Sequence, residues 1–363
     1  MADGAVRIKG PASVARVEVA VEAAPAYELL LGLRAFADTE DDRSSYAVGP
    51  EWWDAARERA PKKLLRDIDR FTGGEEMLFG MLVGFVAALT GPKDIPALIA
   101  AVKEIDPIEL RRWLLGYHLS SFREGVSRET IDRAARGDAE AEAELLAAYD
   151  DHRIGAVKHA LSLPAEEAKE LIVRIVEAWN DKIFSTEASE VMPLLESSAA
   201  EVRDLASTLP VDRLVDRVAP GIRYTSEPGI RRLLLVPSFV GRPWLVMSEC
   251  DDTKCLCYGI DEQTARGVDA PPEAAIAVYR ALGDANRVRL MKRLSRGSAS
   301  LQQLTEHVGL AKSTVHAHLL ILRTSGLVEC SLADKTYTLR RPALAVAHEA
   351  LESFLDRGLS GRR

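Results

Sequence analysis

The sequence predicts a mainly α fold with a small β content. It divides into an N-terminal helical domain with short strands and hairpins over residues 1–265 and a smaller C-terminal module over residues 271–363. Three observations carry this reading. Apolar residues recur at helical spacing through most of residues 25–207, the texture turns β-branched and aromatic between 221 and 260, and the sign of the charge reverses beyond the polar, Pro-rich joint "DEQTARGVDAPPE" at 261–273. A chain of 363 residues, 47% of them apolar, is long enough for two or three domains with real cores.

In chain order, "VARVEVAV" (14–21) alternates apolar and charged residues and reads as a half-buried strand. Helices are expected over 25–37, 52–71, 75–90, 94–104, 107–121, 127–149, 152–162, 165–184 and 187–207, with Pro and Gly at many of the joints. The apolar run Met77–Thr90, with glycines at 80 and 84, is shorter than the roughly 20 residues a membrane span needs and reads as a buried helix. Between 221 and 260, breaks at "EPG", "VGRP" and "CDDTK" suggest two hairpins. No basic segment precedes an apolar one at "MADGAVRIKG", so no secretory signal is read and the expected location is cytoplasmic, away from the membrane.

Charge separates the two parts. Residues 271–363 hold 14 Lys+Arg and 8 Asp+Glu, a balance of +6, whereas residues 1–270 hold 33 and 47, a balance of −14 within a chain of net −8. Only the C-terminal module has the sign that phosphate attracts.

Within that module, Ile276, Tyr279 and Leu282 mark a first helix. Asp284 is placed to cap a second, with Val288, Met291 and Leu294 as its apolar stripe and Gly297 beyond its end. Ser300 and Gln303 make a capping-box signature for a third helix, ended by Gly309. The stretch "GLAKSTVHAHLLILRTSGLV" is a fourth, with Val315, Leu319 and Leu322 on one face and His318 at its edge. Its other face carries Ser313, His316, Ala317 and Leu320, where an ordinary surface helix would carry Glu and Lys. Two helices joined by a tight glycine turn form a helix-turn-helix, whose second helix enters the DNA major groove. Lys312, Ser313, Thr314 and His316 can donate to phosphates or purine acceptors without acidic repulsion. "LVECSLADKTYTLR" reads as strand, turn and strand, a wing with Asp334 and Lys335 at its tip, and Lys335, Arg340 and Arg341 supply backbone charge. "PALAVAHEALESFLDRG" reads as a last amphipathic helix.

"YRALGDANRVRLMKRL", "LQQLTEHVGLAKSTVHAHLLILRTSGLVE" and the wing together resemble the winged helix-turn-helix of the ArsR family of bacterial transcriptional repressors, across roughly 272–357. The N-terminal 270 residues resemble, less specifically, the helical domain that larger repressors of high-GC bacteria carry ahead of the winged helix. The resemblance implies a homodimer through the first and last helices of the module and a double-stranded operator that is an inverted repeat. It extends the DNA-contacting set to Lys312, Ser313, Thr314, His316, Ala317, His318, Lys335, Arg340 and Arg341. Two positions depart from the family pattern. Ala311 stands where a capping Ser is usual, a loss of about 1 kcal/mol, and His316-Ala317 replaces a frequent Ser-Arg pair.

Family members that sense metals use cysteines in the third helix, and "SLQQLTEHVGL" has none; His348 and Glu352 on the last helix do not complete tetrahedral zinc. Cys250, Cys255 and Cys257 are weak metal candidates, with Asp251 or Asp252 as a further ligand, or else buried thiols packed as small hydrophobes. No cofactor is expected. Trp52, Trp53, Trp113, Trp179 and Trp244, with Phe239 and Tyr258, either fill cores or line a pocket for a small-molecule effector. No nucleophile elbow, zinc helix or phosphate loop is present, and Glu75 and Glu76 point about 100° apart on a helix, so no enzyme is expected. The function implied is a homodimeric, sequence-specific transcriptional regulator, a repressor under effector control. The alternative is a winged helix used for protein contact in a non-catalytic complex.

Overall fold

The computed structural model describes residues 17–38, 43, 46–123, 125–149, 151–242, 244–260, 273–332 and 334–357. Strand β1 (Glu18–Val21) leads into helices α1 (Pro25–Ala37), α2 (Pro50–Arg59), α3 (Lys62–Thr72), α4 (Met77–Ala88), α5 (Ile95–Glu104) and α6 (Pro107–Leu114). Next come α7 (Ser120–Arg123), α8 (Arg128–Ala135), α9 (Ala139–Ala148), α10 (Asp151–Ser162) and α11 (Ala165–Trp179). A π-helical turn, Asn180–Phe184, carries α11 into α12 (Ser185–Thr208), and α13 (Val211–Val218) follows. Proline in the first turn opens α1, α2, α5 and α6, and the side chains of Asp94, Asp106, Ser127 and Asp138 cap α5, α6, α8 and α9.

Three long helices expected from periodicity are each divided, and each break has a local cause. The 52–71 segment splits because Ala60 precedes Pro61 and is driven to extended backbone, φ −72° and ψ 119°. The 107–121 segment ends before Gly116, which takes φ +75°. The 127–149 segment breaks at Gly137, φ +86°, after which Asp138 starts a new helix.

Strands β2 (Ile222–Arg223), β3 (Arg232–Ser238), β4 (Val246–Cys250) and β5 (Thr253–Gly259) complete the N-terminal body. The two hairpins expected over 221–260 do not both form. Only β4 and β5 make one; β3 runs parallel to both β1 and β5 in a sheet of order β1-β3-β5-β4, and β2 leaves for a second sheet. The reason lies in the unbroken run Leu233–Val236. A strand covered on both faces needs no polar side, and Leu234 and Val236 face the cluster around α1 and α4 while Leu233 and Leu235 face that of α12 and α13.

Helix α4 is the buried axis of the larger cluster, with Leu78, Phe79, Leu82, Val83 and Val86 fully enclosed. No described helix is long and apolar enough by itself to cross a membrane. A Cβ at Gly84 would stand 2.6 Å from the Glu249 carbonyl and 2.6 Å from Ser248 Oγ, so this glycine lets α4 lie directly on β4.

The C-terminal module comprises α14 (Glu273–Leu282), α15 (Ala285–Leu294), β6 (Ala299–Ser300), α16 (Leu301–Val308), α17 (Lys312–Thr324), β7 (Val328–Ser331), β8 (Thr336–Leu339) and α18 (Pro342–Arg357). It is a winged helix with its own core. The second sheet, β2-β7-β8-β6, has three strands from the module, and β2 of the body adds in parallel to β7, pairing Ile222 with Cys330 and Arg223 with Ser331. Residues 14–16 of the expected first strand and 261–272 of the expected joint lie outside the described residues.

Two expected core stripes of the module are rotated. Ala275, Val278 and Ala281 face inward on α14, leaving Tyr279 40% exposed; on α15, Leu290 joins Met291 and Leu294, while Val288 is 47% exposed. Small residues let α14 approach its neighbours closely, and the larger side chains turn outward.

Gly84→Ala is expected to destabilise the chain by about 1–3 kcal/mol, because the obstructing atoms include backbone. Denaturant unfolding followed by circular dichroism checks this, with Gly283→Ala, exposed, at ordinary φ and with room for a Cβ, as comparison.

Candidate nucleic-acid interface

Each joint of the helix-turn-helix is set by a local contact. Asp284 Oδ1 accepts from the Arg287 amide at 2.9 Å and starts α15; this bond holds the Asp284 carboxyl below its ordinary range. Ser300 Oγ accepts from the Gln303 amide at 3.3 Å while Gln303 Oε1 accepts from the Ser300 amide at 3.0 Å, the reciprocal capping box at α16. Gly309 ends α16 at φ +72°. Ala311 then has the extended backbone of an N-cap but no side chain to accept a hydrogen bond.

Helix α17 contains no acidic residue. Val315, Leu319 and Leu322 are fully buried in the module core, and Lys312, Ser313 and Thr314 are exposed in the first turn. At the wing, Asp334 accepts from the Thr336 amide at 3.3 Å and from its hydroxyl at 2.9 Å, and Lys335 takes φ +52° at an exposed tip. Arg341 is exposed, whereas Arg340 reaches Asp216 of α13 at 3.6 Å.

The structure brings Lys312, Ser313 and Thr314 together and holds the remaining expected residues of α17 elsewhere. The ring of His316 lies against Trp244 of the body, centroids 5.9 Å apart, and Ala317 is half-buried. His318 stands 4.0 Å from Asp284 on the flank toward α15. Farther along the His316 face, Leu320 is 5% exposed and Arg323 is 8% exposed. A Cβ at Gly221 would stand 3.0 Å from Arg323 Cγ and 2.7 Å from the Val328 carbonyl, and burial lowers the Arg323 pKa. The body therefore covers one side of α17, from Trp244 at His316 to Gly221 at Arg323.

Trp244 is the residue that periodicity did not single out as a partner of this helix; it stands on the loop between β3 and β4, which no local pattern joins to residue 316. A second omission had a signal in the sequence. Arg289, Lys292 and Arg296 are exposed at three- and four-residue spacing along and just beyond α15.

Cys250, Cys255 and Cys257 lie on the face of the first sheet that meets α1 and α4, with Cys255 and Cys257 fully buried and the Cys257 thiol pushed well up by desolvation. Among the described residues no group of three or more His, Cys, Asp or Glu is arranged to hold a metal ion. Of the tryptophans, Trp53 donates to the Ala35 carbonyl at 3.2 Å, Trp113 stacks on His118 at 3.8 Å, and Trp52 and Trp179 line a cleft in the body.

Residues 284–329, from the cap of α15 into β7, match the family model described as bacterial regulatory protein, arsR family. No curated protein and no solved structure matches the chain.

Ala311→Ser is expected to supply the missing cap, stabilising the first turn of α17 by about 1 kcal/mol. Hydrogen exchange at the amides of Ser313 and Thr314 checks it, with roughly fivefold slower exchange expected from that energy.

Proposed function

We propose that the chain is a sequence-specific DNA-binding transcription regulator, a repressor acting in the cytoplasm as a homodimer on an inverted repeat and controlled through its N-terminal body. The observation that carries this is the exposed, acid-free first turn Lys312–Thr314 on a helix set by a glycine turn, within the segment matching the arsR-family model. The N-terminal end of such a helix meets base edges, and Lys335, Arg340 and Arg341 meet phosphates beside it. The two parts of the chain, bounded at 265 and 271, divide into a reading module and a controlling body.

Dimerisation through α14 and α18 is supported by their outward apolar residues. Tyr279, Leu344 and Val346 are 40%, 38% and 64% exposed, and Tyr279 Oη lies 3.4 Å from His348 Nδ1. A two-fold axis there presents two α17 helices to successive major grooves about 34 Å apart.

Control follows from the covered side of α17. A helix with its side chains is about 10–12 Å across and the major groove about 12 Å wide, so a helix in the groove leaves no room for Trp244 against His316. Duplex binding requires the module to separate from the body at this contact.

Selection from random duplexes is expected to yield an inverted repeat bound with an affinity that falls linearly in log salt. Lys312→Ala and Lys335→Ala should weaken all sequences alike, whereas Ser313→Ala should relax preference at one base position, by about 1–3 kcal/mol. Absence of any preferred duplex at physiological salt would refute the regulator reading in favour of protein contact. Trp244→Ala is expected to raise duplex affinity about 2- to 10-fold, the worth of one aromatic contact, measured by fluorescence anisotropy; unchanged or weaker binding would count against occlusion.

A further inference from the structure

Beneath α1 and α4 the first sheet carries three thiols on one face, and two of them meet. In the β4–β5 hairpin Cys250 pairs with Thr253 and Ser248 with Cys255, so Cys250 and Cys255 share a face as diagonal neighbours on adjacent strands. Diagonal neighbours interact across a strand pair. Here the thiols are hydrogen-bonded, Cys255 donating to the Cys250 sulfur. Cys257 lies on the same face beyond them, opposite Val246.

The two partners have unequal surroundings. Cys250 ends β4 at the exposed turn Asp251–Asp252 and is 7% exposed, whereas Cys255 is fully buried. Arg232 of β3 stands in the same row as Cys250, through Thr253, and Lys93 comes from the connection between α4 and α5. These two cations share one carboxylate, Glu22, which pairs with Lys93 and lies 3.5 Å from Arg232. The hydrogen bond from Cys255, aided by Lys93 and Arg232, holds the Cys250 thiol below its ordinary range against burial and Asp251. The same bond, with burial, keeps Cys255 protonated. Reactive thiols occupy such electropositive, reachable positions. Cys257 is excluded, because burial and Glu28 push its thiol well up.

We propose that Cys250 and Cys255 form a redox pair that a small hydroperoxide converts to a disulfide, with Cys250 as nucleophile and Cys255 as resolving thiol. The Cys250 thiolate attacks a peroxide oxygen: the S–O bond forms, the O–O bond breaks, and the leaving alkoxide or hydroxide takes up the proton that Cys250 released. The Cys255 sulfur then attacks the Cys250 sulfenic acid. The S–S bond forms as the S–O bond breaks, and hydroxide departs as water with the Cys255 proton. Two thiols and one hydroperoxide give one disulfide, one alcohol or water, and one further water; the pair loses two electrons and the peroxide gains them. Only a small oxidant reaches a thiol this enclosed, and closure brings sulfurs already in contact to about 2 Å.

Peptide mapping of the full chain tests the pair. The reduced chain, freed of reductant, is treated with hydrogen peroxide, unfolded, blocked with N-ethylmaleimide and cut with trypsin, which cleaves after Lys254, between the two cysteines. The expected product joins peptides 233–254 and 255–266, carries the maleimide on Cys257, and is split by dithiothreitol. Cys250 should be consumed about tenfold or more faster than Cys330, whose thiol burial pushes up. Cys257→Ser should keep the link, and Cys255→Ser should abolish it and leave a Cys250 sulfenic acid that dimedone traps. Fragmentation of the wild-type product locates the link even if a variant does not fold. No linked product, a link to Cys257, a link between two copies, or equal loss of Cys330 overturns the proposal. No DNA enters the test, so its outcome is independent of the regulator reading.

Discussion

The pairing of Ile222 and Arg223 with Cys330 and Ser331 ties the two parts of the molecule together. The Cys330 amide donates to the Gly221 carbonyl at 2.6 Å and the Leu332 amide to the Arg223 carbonyl at 3.3 Å, while Arg223 and Glu329 approach to 3.7 Å alongside. This short parallel ladder sets the wing against the body, and with it the direction in which α17 points. Cys330 and Leu332 pack on the smaller body cluster, so the wing strand shares apolar contact with both parts. Gly221 is the pivot of this arrangement. At φ +80°, with the Val328 carbonyl and Arg323 in the way of any Cβ, the position accepts only glycine without displacement.

Beyond that seam, the body has its own logic. A sheet covered on both faces separates two clusters, and its β3–β4 connection is anchored from beneath by a carboxylate on α1. Ser238 Oγ accepts from the Gly241 amide at 2.9 Å, and Arg242 lies over the Phe239 ring at 4.4 Å, so the turn is held by polar contacts on one side and a cation–π contact on the other. Burial raises the Glu28 pKa, because the charged form loses water. Backbone amides and the Ser238 hydroxyl return part of that loss. The loop is therefore ordered from beneath by a buried carboxyl on α1.

Legibility in the sequence followed the range of the interaction. Asp284, the Ser300–Gln303 box, Gly309 and the capless Ala311 were each readable because their partners lie within four residues. Helix boundaries at Pro61 and Gly137 were equally local, yet the apolar periodicity across them outweighed the single breaking residue. The continuous Leu233–Val236 run carried the signal of a doubly covered parallel strand, but the punctuation around it suggested hairpins instead. Helical spacing alone placed Ile276 and Tyr279 on the stripe of α14 and Val288 on that of α15, whereas Ala275, Val278 and Ala281 face inward on α14, Leu290 takes the inward place on α15, and Tyr279 and Val288 turn out. The Trp244–His316 contact, 72 positions apart with a domain joint between, had no local signature.

The two-residue length of β2 bears on what the proposed separation of module and body would expose. A bared β7 would offer a row of unsatisfied amides and carbonyls, and such an edge recruits strands from any chain nearby. Were two copies paired as proposed, the nearest supply would be the identical segment of the other copy, the condition for exchange of β2 between subunits. A ladder this short gives little reward to a foreign strand, so its brevity limits strand addition at this edge.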